Sequence, residues 1–194
     1  MTGTGQQIQQ FHFGPPEAPL FGAFHEALSV SATAPAVLLC NPFGVEAIRA
    51  HRIFRILAEK FAAIGSPVLR FDYRGSGDSA GESSAFTLAS AAEDIVAAHQ
   101  ELLDRSGAAR VLWLGLRLGA GIALKAAAQR PKNLRSMILW QPVADGAAYR
   151  RELETAHIAE LARVFDKSEK AVRAARPTAA LSDEALGMPL SPQL

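Results

Sequence analysis

The chain has 194 residues, 49% of them hydrophobic and 20% charged, and its formal net charge is +1. These values are typical of one globular domain with a sizeable core, and they give no reason to expect a nucleic-acid partner. One cysteine, Cys40, excludes an internal disulfide and suits a reducing compartment. The first ten residues lack a signal-peptide layout and no apolar run is long enough to span a bilayer, so we expect a cytoplasmic protein without a membrane span.

The first elements predict a hairpin, a strand and a long helix. Two short segments, Ile8–Phe13 and Leu20–His25, flank a Gly-Pro-Pro turn and predict the hairpin. Ala36–Cys40 is a short apolar run typical of a buried strand. Residues 46–64 then predict a helix. Its apolar residues recur at helical spacing: Ile53, Ile56, Leu57, Phe61 and Ile64.

The middle of the chain predicts a strand over residues 67–71, a loop over residues 72–79 and a second helix. Thr87 can cap this helix and Gly107 ends it. One face of the helix carries most of its larger side chains: Leu88, Ala92, Ile95, Ala98, His99 and Leu102. The segment therefore predicts an amphipathic helix that packs on the core.

The next elements continue the alternation of strands and helices. Residues 109–114 predict a buried strand, residues 121–130 an Ala-rich helix and residues 136–140 another strand. Strands that alternate with helices predict a parallel sheet with helices on both faces. If the last of these strands is the edge of the sheet, it is an apolar edge. Three explanations stay open: carboxy-terminal helices cover it, a second copy or a partner protein pairs with it, or the chain is a truncated product of a longer gene.

After Val143 the pattern changes. Residues 149–165 predict an amphipathic helix and residues 168–175 a shorter one. Residues 176–194 contain three prolines and no strand signal, and they predict a loose tail.

The sequence Gly115-Leu116-Arg117-Leu118-Gly119 lies between a predicted strand and a predicted helix. Strand, tight glycine turn and helix form the setting of a nucleophile elbow, where Gly-x-Ser-x-Gly is expected. The central residue here is Arg117, whose guanidinium carries a fixed positive charge and cannot attack a carbonyl. The turn of an acyl-transfer site is therefore predicted without the group that performs acyl transfer.

Three segments resemble the α/β-hydrolase superfamily. Leu-Leu-Cys-Asn-Pro-Phe-Gly at 38–44 looks like the third strand and its oxyanion loop, and residues 72–79 resemble the Asp-x-Arg-Gly-x-Gly-x-Ser loop. Residues 115–119 match the elbow apart from the arginine. The strings Cys-Asn-Pro-Phe-Gly, Gly-Leu-Arg-Leu-Gly-Ala and Leu-Trp-Gln-Pro-Val look most like the exosortase A system-associated hydrolase 2 family, which accompanies bacterial exopolysaccharide and protein-sorting loci.

This resemblance implies an α/β fold with a mostly parallel sheet, helices on both faces, and the last strands of the superfamily lacking. It implies a hydrolase-like core over residues 1–145, a helical cap-like segment over 146–175 and a flexible tail over 176–194. None of the five histidines follows a late strand, where the superfamily places its catalytic histidine.

The resemblance also implies where a site would lie. The backbone N–H groups of Phe43 and Leu118 would form the oxyanion hole or bind an anion. The pocket would be lined by further residues at the ends of strands: Cys40, Asn41 and Trp140. Asp145 is a weak candidate for the acid of a catalytic triad, and His157 would be its only possible histidine partner. For His157, an ordinary position within a helix is the stronger interpretation. No metal or cofactor is expected.

Arg117 has two open interpretations. A cation at a helix N-terminus is unfavourable by about 0.3–1 kcal/mol, so something should offset it. An internal carboxylate, Asp72 or Glu46, would serve. A bound carboxylate or phosphate would also serve, because it would meet both the guanidinium and the free N–H groups of the helix.

The remaining candidate residues, including the single cysteine, have structural interpretations. Asp72, Arg74 and Ser79 hold their loop through side-chain to backbone bonds. Cys40 is interpreted as a small buried residue and not as a substitute nucleophile. The first helix carries a basic stripe, for which a solvated face is the usual explanation: Arg49, Arg52 and Arg55.

Two functions follow from these residues. One is an enzyme that acts on esters, thioesters or amides by a non-standard mechanism, with Arg117 holding a substrate carboxylate. The other is a non-catalytic relative that binds an acyl or anionic ligand, or a partner protein. A dinucleotide-binding enzyme is excluded, because the glycine-rich turn lies on a late strand and Tyr149 is followed by Leu153 where a Tyr-x-x-x-Lys pair would need lysine.

Overall fold

The computed structural model describes residues 8–29, 34–175, 184–186 and 188–189. They fall into two compact units, Met1–Pro142 and Val143–Leu194. None of the helices in these described segments is long and apolar enough to cross a membrane.

The first unit is built on a six-stranded sheet with the order β1-β2-β4-β3-β5-β6. Its strands are β1 (Ile8–Phe13), β2 (Leu20–His25), β3 (Ala36–Cys40), β4 (Val68–Phe71), β5 (Val111–Leu116) and β6 (Leu134–Trp140). The first two strands form an antiparallel hairpin, and β2 pairs antiparallel with β4. Strands β3 to β6 pair in parallel. The predicted hairpin and the mostly parallel sheet are confirmed.

The register brings the carboxyl ends of the central strands together. Cys40 of β3 pairs with Gly115 of β5, and Leu116 pairs with Trp140 of β6. Because these strands are parallel, the loops that follow them leave from the same edge of the sheet. That edge is where the sequence analysis places the candidate site.

Four helical segments complete this unit: α1 (Val45–Ala63), a 3-10 turn over Ser83–Ala85, α2 (Leu88–Ser106) and α3 (Leu118–Ala127). The start of α2 follows the sequence prediction. The Thr87 hydroxyl accepts from Ser90 N–H at 3.0 Å, and the Ser90 hydroxyl accepts from Thr87 N–H at 2.9 Å, which forms a capping box. Gly107 ends the helix in the left-handed conformation, at φ 63°.

Helix α1 packs on the sheet mainly through small residues, and only some of its larger apolar residues contact the core. The sheet side of α1 is made mostly of alanines around one phenylalanine: Ala50, Phe54, Ala58 and Ala62. Ile53 and Ile56 are 41% and 39% exposed, and Ile64 is 71% exposed. Leu57 and Phe61 are partly buried and pack against the core. The helical spacing therefore predicted the helix, but only part of the side that meets the sheet.

Strand β6 is one of the two edge strands of the sheet within the described residues, and β1 is the other. Ile138 and Trp140 are 45% and 41% exposed. An apolar edge strand is a template for pairing with another segment. The predicted position of this strand at the edge of the sheet is confirmed, and what covers it or pairs with it stays a prediction.

The second unit contains α4 (Gly146–Val164), α5 (Glu169–Ala175) and a short antiparallel pair formed by β7 (Glu184–Ala185) and β8 (Met188–Pro189). Its small apolar cluster consists of Ile158, Ala162 and Val172. The short strand pair lies in the tail for which the sequence carried no strand signal. Apart from Leu186, the rest of that tail lies outside the described residues.

Candidate functional site

The elbow between β5 and α3 has a backbone conformation that arginine rarely adopts. Arg117 has φ 53° and ψ −121°, and it is the residue that precedes the first turn of α3. Its N–H donates to the carbonyl of Trp140 at 2.9 Å, and its carbonyl accepts from Ala120 N–H at 3.1 Å. A positive φ costs a non-glycine residue about 1–3 kcal/mol. Residue 117 is therefore held at the tip of a tight turn by the end of β6 and the start of α3.

The two glycines of the elbow permit a close approach that any side chain would prevent. A Cβ on Gly119 would collide with the carbonyl oxygen of Asn41, and a Cβ on Gly115 would lie 2.6 Å from the Cα of Ala120. The start of α3 can therefore pack directly on the end of β3. The Gly-x-Arg-x-Gly spacing is explained by this packing, whether or not the site has a function.

The loop after β3 is fixed to β4 by hydrogen bonds. The Asn41 side-chain amide donates to the carbonyl of Phe71 at 2.7 Å. The Tyr73 hydroxyl donates to the carbonyl of Asn41 at 3.2 Å. The Phe43 ring lies 4.5 Å from the Phe86 ring, centroid to centroid. The Asn41 side chain is thus used to hold the loop, and the ring of Phe43 packs on its neighbour.

Two of the helices that follow strands at this edge of the sheet lack side-chain caps. Gly44 precedes α1 and Arg117 precedes α3, and neither helix has a side-chain hydrogen bond at its cap. By contrast α2 begins with the capping box at Thr87, and Asp145 caps α4. The first N–H groups of a helix have no intrahelical acceptor, and the helix dipole makes this end positive. The elbow therefore presents two helix starts that favour negative charge, with Leu118 as the first residue of α3.

A carboxylate of the chain itself meets the arginine at the elbow. Arg117 Nε donates to Glu46 Oε1 at 3.0 Å, and the two side chains are 22% and 24% exposed. Glu46 lies in the first turn of α1, so both members of the pair belong to the uncapped helix starts. Of the two internal carboxylates considered from the sequence, Glu46 is the partner. The Asp72 carboxylate accepts instead from the N–H of Asp78 at 3.1 Å.

The other predicted pocket residues of the first unit have contrasting positions. Cys40 is fully buried, and burial raises the pKa of its thiol far above the usual range. Its sulfur is therefore protonated and enclosed, which supports the interpretation of a small core residue. Trp140 is partly exposed at the end of β6, and its carbonyl holds the backbone of Arg117.

The two candidate triad remnants lie in the second unit, and each has a structural contact there. Asp145 Oδ1 accepts from Ala148 N–H at 3.0 Å, as an N-cap residue does. His157 is buried, and its Nδ1 accepts from the N–H of Leu186 at 2.9 Å. These contacts account for both side chains, and a catalytic role for Asp145 stays a prediction.

The loop after β4 is held by the predicted side-chain to backbone bonds at Asp72 and Ser79, whereas the Arg74 side chain bonds another side chain. The Ser79 hydroxyl donates to the carbonyl of Asp72 at 2.6 Å and accepts from Phe21 N–H at 2.8 Å. Arg74 pairs with the buried carboxylate of Asp94 through Nε at 2.8 Å and through a terminal nitrogen at 2.7 Å. Asp94 was not among the residues predicted from the sequence. Its signal was an acidic residue next to Ile95 on the apolar face of α2.

Comparison with known proteins assigns the family. The profile described as "Serine aminopeptidase, S33" matches residues 35–185. The chain belongs to this family. Solved α/β-hydrolase structures share its fold, and the predicted α/β-hydrolase-like sheet with helices is confirmed. The description of this family names a serine enzyme, whereas the residue at the centre of the elbow in this chain is Arg117.

Curated relatives match only part of their own length. An uncharacterized protein of Mycobacterium tuberculosis strain H37Rv is 36% identical over 113 residues, which is 57% of this chain and 37% of the relative. An uncharacterized 31.7 kDa protein from the traX-finO intergenic region of Escherichia coli is 32% identical over 118 residues, or 58% of this chain and 38% of the relative. The chain thus spans less than two fifths of the length of these relatives.

Solved structures are similar in fold at low sequence identity. An esterase of Pyrococcus furiosus has a TM-score of 0.61 and 17% identity, with 91% of this chain and 62% of that chain covered. A proline iminopeptidase of Mycobacterium smegmatis has a TM-score of 0.60 and 16% identity, with 78% of this chain and 50% of that chain covered. At these low sequence identities, the similarity supports the assignment of the fold and nothing further.

Proposed function

We propose that this protein is a pseudohydrolase of the exosortase-associated type, which binds a carboxylate or another small anion at the elbow between β5 and α3. The observation that carries this proposal is the 3.0 Å contact between Arg117 and the Glu46 carboxylate, made where two helices begin without side-chain caps. A hydrolase elbow places a nucleophile at this position. In this chain the residue at that position is Arg117, whose side chain carries a permanent positive charge.

The contact indicates which chemical groups can bind at the elbow. A guanidinium has five N–H donors in a planar fork, and carboxylates and phosphates fit that fork. In the proposed complex a ligand anion exchanges with Glu46 at Arg117 and also meets the N–H of Leu118. The Phe43 N–H is the second backbone donor that the resemblance to hydrolases provides.

The other candidate residues favour binding over acyl transfer. Arginine is not a nucleophile, and the Cys40 thiol is buried with a raised pKa. Asp145 and His157 are engaged in the hydrogen bonds described above. A ligand held by charge and backbone donors needs none of these groups.

Thermal unfolding with defined probes tests this proposal. We would use octanoate, acetyl-coenzyme A and inorganic phosphate as separate probes on the wild type and on Arg117→Ala, Glu46→Ala and Arg135→Ala. A probe at about 100 times its Kd stabilises the native state by about 2.7 kcal/mol. We expect one probe class to raise the Tm of the wild type, Arg117→Ala to abolish the shift, and Glu46→Ala to enlarge it, because a competing carboxylate is removed.

Arg135→Ala is the matched control, since it removes an exposed arginine of the same unit at the β6 edge. Its ligand-induced shift should equal that of the wild type. Equal shifts in the wild type and Arg117→Ala would contradict the proposal.

A second candidate function is hydrolysis, because the description of the family names an aminopeptidase and one similar solved structure is an esterase. In it, Arg117 holds a substrate carboxylate while the ester, thioester or amide is hydrolysed without an elbow nucleophile. Turnover of p-nitrophenyl esters by the pure wild type that is lost in Arg117→Ala would support this function. Absence of turnover together with an Arg117-dependent thermal shift would support the binding function.

A further inference from the structure

Helix α1 concentrates exposed apolar side chains on the surface of the first unit. Ten large apolar side chains among the described residues are at least 39% exposed, and five of them belong to this region: Leu28, Ile48, Ile53, Ile56 and Ile64. Four lie on α1 or at its end, and Leu28 N–H donates to the carbonyl of Ala62 at 3.1 Å. Because alanines and Phe54 form the sheet side of this helix, the isoleucines are not part of its core contact.

The same outward side of α1 is positively charged. Arg49, Arg52 and Lys60 are exposed, and no ion pair is found for them within the described part of the chain. The acidic residues of the helix are already neutralised, because Glu59 pairs with Arg55 at 2.9 Å and Glu46 pairs with Arg117 at 3.0 Å. The surface therefore keeps a local excess of positive charge although the whole chain is close to neutral.

The apolar and basic side chains are interleaved. Ile56 lies one helical turn from both Arg52 and Lys60, and Ile53 lies one turn from Arg49. We call this surface the α1 face, and it consists of Ile48, Arg49, Arg52, Ile53, Ile56 and Lys60. Arg49 and Arg52 of the basic stripe noted in the sequence thus belong to a mixed apolar and basic surface, whereas Arg55 pairs with Glu59.

We propose that the α1 face docks on an anionic membrane surface. An interfacial helix buries its apolar side chains at the boundary between headgroups and acyl chains, and its lysines and arginines contact the anionic headgroups. Long cationic side chains can extend along such a surface while their stems stay in apolar surroundings. The α1 face offers both components on one exposed ridge.

The shape and composition of the α1 face favour lipid over an acidic protein. The face is the outer side of a single helix, and it contains no tryptophan or tyrosine. The anchors of protein interfaces are enriched in tryptophan and tyrosine as well as arginine, and of these three the α1 face has only arginine, at Arg49 and Arg52. A lipid surface yields around a convex ridge and needs no matching pocket, so charge and apolar area are sufficient.

Vesicle flotation tests the proposal with the whole chain. We would compare vesicles of phosphatidylcholine alone with vesicles that contain about 30% phosphatidylglycerol, at low and high salt. We expect binding to the anionic vesicles only, weakened by salt. The double variant Arg49→Gln/Arg52→Gln should bind about tenfold more weakly or worse, because each cation near the surface adds attraction. The double variant Ile53→Gln/Ile56→Gln should lose a similar or larger factor, because insertion of apolar area is removed.

Leu124→Gln is the matched control. Leu124 is a 58% exposed apolar residue on α3, outside the α1 face. Its variant should bind vesicles as the wild type does. All these residues are exposed, so the thermal unfolding of every variant should stay close to that of the wild type.

A fluorescent label distinguishes insertion from simple charge attraction. The native Cys40 is fully buried, so an environment-sensitive dye will label an introduced surface cysteine selectively. The label on Ile56→Cys should shift to the blue on anionic vesicles, and the label on Leu124→Cys should not.

Three results would overturn the proposal. They are equal binding to both vesicle types, binding that survives Ile53→Gln/Ile56→Gln, and an unshifted label at position 56. Absence of vesicle binding with stable capture of an acidic protein through the α1 face would replace the lipid with a protein partner.

Discussion

Helices α1 and α3 both follow a parallel strand and both begin at the carboxyl edge of the sheet, yet they bury their residues differently. Helix α3 is buried over most of its length through Leu118, Gly119, Ala120, Ile122, Ala123 and Ala126. It packs against α2 as well as against β3, β5 and β6. Helix α1 packs on β2, β3 and β4, and it leaves its isoleucines at the surface. An apolar side chain at helical spacing is therefore evidence for a helix, but the side that meets the sheet is chosen by fit.

Size explains the choice in α1. A helix with apolar residues on more than one side packs through the side that fills the space above the sheet without voids or clashes. In α1 the alanines allow close contact and Phe54 fills the remaining space. The comparison predicts that the two helices respond differently to substitution.

The largest effect is expected at the start of α3. Gly119→Val places a branched side chain where even a Cβ collides with the carbonyl of Asn41. We expect loss of cooperative unfolding, or a fall of more than about 5 kcal/mol in the free energy of unfolding. Chemical denaturation followed by circular dichroism measures this. Leu124→Ala in the same helix is the control and should change stability little, and a mild effect of Gly119→Val would show that the close approach is not required.

The next effect separates the two sides of α1. Phe54 is 1% exposed, so Phe54→Ala should cost about 3–5 kcal/mol through lost burial and a residual cavity. Ile56→Ala, two residues later, should stay within about 0.5 kcal/mol because the side chain is already exposed. Urea unfolding of both variants checks the pair. Equal losses would mean that Ile56 is covered in solution.

A pH-dependent effect probes the sheet beneath α1. His25 of β2 is fully buried, and its Nε2 accepts from Arg70 Nε at 3.1 Å. Burial, followed by the nearby charge of Arg70, lowers the pKa of His25 from 6.5 to about 4. The unfolded chain therefore takes up a proton below about pH 6.5 that the folded chain refuses until about pH 4. Stability should fall by up to about 3 kcal/mol as the pH drops through this window and should be unaffected by this group above it.

The measurement is the free energy of unfolding between pH 7.5 and 4 for the wild type and His25→Gln, with about half a unit between points. The slope should be shallower in His25→Gln. Part of the slope should remain, because burial also lowers the pKa of His99. An identical slope in both proteins would show that His25 does not contribute.

The smallest effect contrasts a capped helix with the uncapped starts of α1 and α3. Thr87→Ala removes the capping box of α2 and should cost about 1 kcal/mol. Thr87→Ser keeps the hydroxyl and should restore most of that stability. An unchanged Tm in Thr87→Ala would mean that side-chain caps contribute little to stability in this protein. The absence of side-chain caps at the starts of α1 and α3 would then be no evidence for an anion site.

The local elements could be predicted because their signals lie within a few residues. The Thr87 cap, the Gly107 stop and the flanking glycines of Arg117 each mark a backbone event that depends on adjacent sequence. The mostly parallel sheet followed from the alternation of strands and helices, which leaves few topologies to choose from.

The missed features depend on residues that are far apart in sequence. Asp94 became important only because Arg74 reaches it across 20 positions, and its position on α2 alone did not reveal this. The buried side of α1 depended on the space above β2, β3 and β4, which no local pattern encodes.

By itself the sequence determined the α/β architecture, the glycine turn of the elbow and the arginine at its centre, because these are written in short motifs and in residue identity. Only the tertiary structure decided which carboxylate meets that arginine. Glu46 and Arg117 are 71 positions apart, and parallel pairing of β3 with β5 brings the helix starts that carry them together. The same packing decided that alanines face the sheet in α1 and that isoleucines face outward, since close packing selects side chains by volume as well as by hydrophobicity.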